Sequence, residues 1–362
     1  MKKILIVLFG FSPSSTVRGT VFREEFLKNG YEAVFFQTHA ALIGKLRQRI
    51  LGWPRFLRLL IDIPLRLLNL AYICLRAMYL LTLVGSAHAV MLIKFCPPWL
   101  IPLIHARTRG RLLYEFDDPM WLDSFIGEKA FLKLIKHADY VSTDNTLMAE
   151  WVRRHHPENV FVVRGPAQVE VFEGKKGWRA RTRNRVVVGW VGSRSTLPYL
   201  DVVVPALRRI AAKRSDFVFR VVGAGGADLS KILQGIPHEI RDHYDQQGMV
   251  EEVLALDIGL FPLFQNDELS VYRGTLKVRI YMSGGATVVS SNVGLVGEII
   301  NQGHNGLLAT SDADWEIQIE TLIADHALRE KMGFEGYKTV LENYRIEHCF
   351  SDLSKGFLER IS

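Results

Sequence analysis

Apolar and polar positions along the chain alternate in two rhythms. Residues 3–9 (KILIVLF) form a short apolar run ending at Gly10. A polar loop, Ser12 to Thr16, leads into a helical pattern from Val21 to Lys28 that closes at Asn29-Gly30, and Glu32 to Gln37 reads as a second strand. Strand, loop, helix, strand is the opening of a parallel sheet. Further strands are expected at Val90–Phe95, Leu112–Phe116, Tyr140–Ser142 and Val160–Val163. Helical stretches lie between them, such as Ala130–His137 and Leu147–His155. The charged stretch Glu173–Arg185 interrupts this rhythm and reads as a linker. The pattern then restarts. Strands are expected at Val186–Val191, Val218–Val222, Gly259–Pro262 and Thr287–Ser290. Helices are expected at Tyr199–Lys213, Leu229–Leu233, Leu276–Ser283 and Trp315–Asp325. The prediction is an α/β chain of two doubly wound, Rossmann-like domains facing a cleft. The first spans residues 1–172, the linker 173–185 and the second 186–342, with a C-terminal helix at 343–362. In such sheets ligands bind at the carboxyl ends of the strands.

Composition narrows the classes. The 362 residues are 48% apolar and 23% charged, which excludes wholesale disorder and fibrous structure. Cys74, Cys96 and Cys349 are too few and too scattered for a disulfide framework or a zinc site, and fit a reducing compartment. The basic, apolar N-terminus reads as a strand rather than a signal peptide, so a cytoplasmic location is expected. The net charge is +7, and its placement matters more than its size. Between Ala41 and Leu80, Lys45, Arg47, Arg49, Arg55, Arg58, Arg66 and Arg76 face Asp62 alone, seven minus one, or +6. These residues alternate with large aliphatics, which points to an anionic membrane surface rather than to nucleic acid. Within 54–83 the polar positions make a narrow stripe on an apolar helix pair, with Pro64 at a kink or restart. The expectation is a peripheral membrane protein without a spanning helix.

Candidate chemistry sits at strand ends. Gly192-Ser193-Arg194-Ser195-Thr196 follows a strand and opens a helix. That context suits a phosphate nest, and equally an ordinary capped turn. Gly223-Ala224-Gly225-Gly226 also follows a strand, but its spacing misses the dinucleotide fingerprint and reads as a tight turn. Asp117 and Asp118 follow another strand, where they can serve chemistry or cap the next turn. Alternation along that strand could bring Glu115 and Asp117 together at a metal. The loop from Gly10 to Arg23 faces any cleft if the first strand is central, and offers Arg18 and Arg23.

Longer strings carry a resemblance. Asp257-Ile-Gly-Leu-Phe-Pro262 is followed by Arg273-Gly-Thr-Leu-Lys277, Tyr281-Met-Ser-Gly-Gly, Thr287-Val-Val-Ser-Ser-Asn-Val-Gly294, Glu298-Ile-Ile and Gly303-His-Asn-Gly306. With Gly189-Trp-Val-Gly192-Ser193 and Leu112-Leu-Tyr-Glu-Phe-Asp117-Asp118, this resembles retaining glycosyltransferases of family 4, which have the GT-B fold. The resemblance implies a nucleotide-sugar donor, bound by Gly192, Ser193, Arg194, Ser195, Gly223, Arg273, Lys277, Gly294 and Glu298. It implies Lys277 as a catalytic residue, neither metal nor cofactor, and a C-terminal stretch, 343–362, that returns to the first domain. Asp117 and Asp118, at a strand end where transfer calls for an acidic or hydrogen-bonding group, are the other catalytic candidates, and Gly10 and Arg18 of the first loop the acceptor-side ones. The expected acceptor is a lipid-linked or cell-surface glycan precursor, reached at the inner face of the cell membrane. Two departures stand out. Tyr272 and Ile280 occupy the positions of the family's glutamate pair, and Phe116 that of its usual histidine. Tyr272 and Ile280 keep open a non-catalytic nucleotide-sugar-binding homologue, and the shared GT-B architecture keeps open a nucleotide-sugar epimerase.

Overall fold

The computed structural model describes residues 1–8, 18–37, 55–94, 96–123, 126–156, 158–167, 169–173, 185–241 and 246–362. Gly10 and most of the expected linker lie outside the described residues. The chain divides into two compact units. The first comprises Met1–Gly165 and Phe350–Ser362, the second Pro166–Cys349. The division therefore falls at Gly165, before the charged stretch and not within it, and the returning segment starts at Phe350 rather than at residue 343.

Each unit is built on a six-stranded parallel sheet, as the α/β reading expected. In the first, β1 (Lys2–Leu8), β2 (Tyr31–Gln37), β3 (Ala89–Ile93), β4 (Leu112–Phe116), β5 (Tyr140–Thr143) and β6 (Val160–Val162) lie in the order β2-β1-β3-β4-β5-β6. Ile4 to Leu8 are all buried, because helices cover both faces of a parallel sheet and every second residue has no solvent side to point to. Residues 350–362 complete this unit. Phe350 packs edge-on against Phe26 at 5.1 Å, and Phe357 against Tyr140 at 5.1 Å.

The second unit contains β7 (Val186–Val191), β8 (Phe217–Val222), β9 (His238–Arg241), β10 (Ile258–Phe261), β11 (Thr287–Ser291) and β12 (Gly306–Ala309), in the order β12-β11-β10-β7-β8-β9. Its core has two halves, one on each face. Val188 and Trp190 of β7 point into one, Val187 and Val191 into the other. The strand order reverses between β7 and β10, which is where an open sheet of this kind leaves a ligand crevice.

Some expectations are corrected. Strands β9 and β12 were not foreseen. Both are short edge strands, and half-exposed β9 (HEIR) carries no apolar run. Leu229–Leu233 is a series of turns and not a helix. Tyr199–Lys213 divides into a 3₁₀ stretch, Arg194–Val202, and an α-helix, Val204–Lys213. The expected apolar helix pair is a single helix, Arg55–Ser86, that runs through Pro64. Its segment Ile61–Ser86 is long and apolar enough to cross a membrane by length and composition alone.

Candidate functional site

The strongest constellation gathers around the carboxyl end of β7. Ser193 opens the 3₁₀ stretch Arg194–Val202 with a reciprocal cap, and its N–H donates to Thr196 Oγ1 at 3.1 Å. The Gly192 N–H donates to Val222 O in the sheet at 2.9 Å. The first-turn amides of Arg194 and Ser195 are therefore the ones with no intrahelical acceptor, as at any helix start. Arg194 and Ser195 are exposed. Gly192 is required by packing. A Cβ there would lie 2.2 Å from the Trp190 ring and 2.8 Å from Thr196 Oγ1.

Lys277 reaches the same turn from the helix Leu276–Ser283. Its Nζ lies 3.4 Å from Thr196 Oγ1 and 4.8 Å from the centroid of Trp190. One helical turn later, the Tyr281 hydroxyl accepts the Val191 N–H at 2.8 Å, which ties this helix to the end of β7. Burial, and then the neighbouring Arg273 charge, push the Lys277 ammonium down to about 7. Arg273 donates to the Tyr199 hydroxyl at 3.0 Å and lies 5.0 Å over that ring. Tyr199 in turn donates to Asp267, at 3.4 Å. Two cations thus lie along the stretch that follows β7, Lys277 at Thr196 and Arg273 at Tyr199, and Lys277 is disfavoured as a cation by its own surroundings. Such a place is stabilised by a multiply charged anion.

The remaining residues expected at the donor are placed as follows. Gly223 has φ +86°, and its N–H donates to Arg241 O in the sheet at 2.7 Å, so that amide is used by β9. Gly225, two residues on, passes beside Arg194. Gly294 has φ +59°, and a Cβ there would meet Val271 O at 2.2 Å, so only glycine lets the loop after β11 close on the helix Glu268–Tyr272. Glu298 is exposed in the single turn Val296–Ile299. Ile280 packs half-buried against the core and Tyr272 is half-buried, so no carboxylate stands at either position.

The first unit holds a second cluster, at the ends of β3, β4 and β5. Arg18 is buried, in contrast to the expected acceptor-facing residue. Its Nε donates to Glu115 Oε1 at 2.6 Å and its Nη1 to Asp144 Oδ1 at 3.0 Å. Burial opposes the guanidinium charge, but Glu115 and Asp144 outweigh it and hold Arg18 protonated. Glu115 also accepts from the Ser142 hydroxyl, and burial pushes its carboxyl up to about 7 against the pull of Arg18. Glu115 is thus paired with Arg18 and Ser142 inside the first unit. Among the described residues no group of three or more His, Cys, Asp or Glu is arranged to hold a metal ion.

Asp117 and Asp118 lie just beyond β4 and share Lys94, whose Nζ is 3.3 Å from Asp117 Oδ1 and 2.5 Å from Asp118 Oδ2. Lys94 was not foreseen. Its backbone is left-handed, φ +67°, held by its N–H to Glu115 O at 2.7 Å and by the Tyr114 hydroxyl, which donates to its carbonyl. A left-handed non-glycine residue costs about 1–2 kcal/mol, and no spacing in the sequence marks it. Burial opposes the Lys94 charge, and the two aspartates outweigh it and raise the ammonium above its ordinary value. Arg23, also offered by the sequence, lies 4.5 Å over the ring of Phe35.

Comparison with known proteins decides the class of the second unit. Residues 185–325 match the family described as Glycosyl transferases group 1. The second unit carries a glycosyl transferases group 1 domain. A D-inositol 3-phosphate glycosyltransferase of Rhodococcus jostii (strain RHA1) is 22% identical over 289 residues, 72% of this chain and 61% of that protein. The aligned stretch thus spans under two thirds of that relative. Among solved structures, a glycosyltransferase from Rickettsia africae ESF-5 superposes with a TM-score of 0.66 at 14% identity, covering 99% of this chain and 98% of that one. Anabaena HepE in complex with UDP-glucose gives 0.67 at 12%, covering 99% and 100%. The lipopolysaccharide outer core galactosyltransferase WaaB gives 0.61 at 15%, covering 99% and 100%. These neighbours share the GT-B fold, and the group 1 domain holds the Lys277 constellation.

Proposed function

We propose that the protein is a glycosyltransferase that moves a sugar from a nucleotide-activated donor to an acceptor hydroxyl, with retention of anomeric configuration. The observation that carries this reading is the placing of Lys277 and Arg273 along the stretch that follows β7, inside a group 1 domain. A nucleoside diphosphate supplies the multiply charged anion those cations lack. As the sugar–phosphate bond breaks, negative charge builds on the leaving diphosphate, and Lys277 stabilises it more than it stabilised the bound donor. Arg194, Ser193 and Ser195 supply the fork and the hydroxyls at the turn, and Gly294 and Glu298 frame the loop after β11. Two protein cations meet the charge, so the reading calls for no metal and no cofactor. Asp117 and Asp118, held by Lys94, offer carboxylate oxygens to the hydroxyls of an acceptor. The acceptor is a lipid-linked or cell-surface glycan precursor, met on the cytoplasmic side, a choice supported by the apolar basic helix.

The test begins with thermal shift against UDP, GDP and UDP-glucose. A nucleotide at a hundred times its dissociation constant adds about 2.7 kcal/mol of stability. The matching sugar donor should then be consumed in the presence of acceptor, and Lys277→Ala should lower turnover by roughly 10²-fold. Nuclear magnetic resonance of the product reads the anomer directly. Full turnover in Lys277→Ala would remove that residue from the site.

One observation favours a second reading. Apolar Ile280 and Tyr272 replace both family carboxylates, which suits a homologue that binds the nucleotide sugar without transferring it. Nucleotide binding with no release of free nucleotide, over a range of acceptors, would establish it.

A further inference from the structure

The helix Arg55–Ser86 carries apolar side chains on its outward side as well as its inward side. Ala77, Leu80 and Val84 are buried against the first unit. Arg76 points the same way, its guanidinium donating to Gln37 O and lying 4.1 Å over Phe36. On the opposite side Ile63, Leu67, Leu68, Leu70, Leu75 and Met78 are each more than half exposed. At 100° per residue these six spread over about 160° of the helix, and the inward set, with half-buried Asp62, falls within about 100° on the other side. A surface helix of a water-soluble fold carries charged and polar residues on its outer face. The neighbouring segment adds Trp99 and Leu103, exposed at 52% and 43%, in and before the helix Ile101–Thr108 that packs on this one. Isolated exposed leucines are ordinary, but a continuous face of this width marks an interaction surface.

We infer that this face docks in the plane of an anionic lipid bilayer, with its leucines in the hydrocarbon boundary and its axis parallel to the surface. Charge selects the occupant. The sequence from Ala41 to Leu80 carries seven basic residues against Asp62; leaving out Arg76, which is turned onto Phe36, six minus one leaves +5, where a second copy of the same chain would bring repulsion. Juxtaposed basic residues strengthen binding to anionic headgroups. The in-plane orientation follows from the anchoring. Residues from Arg76 onward are tied to β2 and the core, so they cannot leave without unfolding the unit. Upstream, Arg55, Arg58, Asp62 and Arg66 break the run, and the uncharged remainder, Leu67–Leu75, is far short of the roughly 20 residues a span needs. The inference does not rest on the glycosyltransferase reading.

The test is sedimentation of the full chain with vesicles of phosphatidylcholine, with and without phosphatidylglycerol. The wild type should pellet with the anionic vesicles and several-fold less at high salt, where screening shortens electrostatic reach. The double variant Leu67→Glu/Leu70→Glu should bind about 100-fold more weakly, since two buried leucines are lost from the interface. Its melting temperature should be unchanged, because neither side chain packs on the fold. Ile317→Glu, an equally exposed apolar position in the other unit, serves as control and should bind like the wild type. Undiminished binding by the double variant would overturn the inference. So would a lipid-free dimer that the double variant makes monomeric, since a second copy would then cover the face. A protease-protected segment that resists alkaline extraction would overturn the in-plane orientation.

Discussion

At the scale of single residues, Lys277 and Arg18 solve the same problem differently. Both are cations drawn out of water. Arg18 is matched by two buried carboxylates, whereas Lys277 faces Arg273 and is left at about 7. An unfolded lysine holds its proton to about 10.5, so unfolding takes up a proton between those values and stability rises with pH across that window. Lys277→Met cannot titrate. Urea denaturation at about pH 6 and pH 9 should therefore show a steeper rise in the wild type than in the variant. A bound diphosphate favours the charged form, so nucleotide affinity should fall as pH rises through about 7. Lys277→Arg should flatten that fall, which calorimetric titration would measure. A parallel loss in both proteins would show that another group sets it. Removing Arg18 has a different signature. Arg18→Met leaves Glu115 and Asp144 buried without their cation, at a cost of about 3–5 kcal/mol. Burial already holds Glu115 at about 7, above its unfolded value of 4.5, so its contribution is present below 4.5 and lost as pH rises through 7. In Arg18→Met that loss should steepen, and adding Glu115→Gln should recover a large part of it. Equal stability of the single and double variants at pH 8 would contradict the assignment.

At the scale of elements, the two units were legible where a strand lies buried on both faces. Val186–Val191 and Leu112–Phe116 match their expected bounds because a continuous apolar run has one solution in a covered parallel sheet. The helix Leu276–Ser283 was also exact. Edge strand β9 was missed because its surface is largely outside the core, and β12, though mostly buried, because four residues (GLLA) are too short a run to stand out. Pro64 was read as a kink or restart, and the helix passes through it. Gly192 is the element-scale residue of the site, since it lets the β7 turn fold beneath Trp190 and so sets the floor on which Lys277 rests. Gly192→Ala pushes a methyl into the indole and should cost about 1–3 kcal/mol by overpacking. The same change should weaken nucleotide binding, because the displaced ring no longer carries the ammonium. Thermal denaturation and nucleotide titration check both, and unchanged affinity would separate the turn from the site.

At the scale of the whole molecule, the second unit has its own two-faced core, its own sheet and all the residues of the anion constellation. The segment 166–349 expressed alone should melt cooperatively and retain the nucleotide shift of the full chain. Loss of binding in a folded segment would place part of the site elsewhere. The sequence alone determined the α/β class, the repetition of a βα rhythm, the glycine turn after β7 and the family string around Lys277. These are local facts, written in periodicity and spacing. Only the tertiary structure decided that the chain divides at Gly165 and that residues 350–362 complete the first unit. It alone showed that Arg18 is buried between Glu115 and Asp144, that Lys94 holds Asp117 and Asp118, and that the leucines of Arg55–Ser86 face outward. Each of these depends on contacts between residues far apart in the chain, and burial and pairing at such distances leave no spacing for a sequence pattern to record.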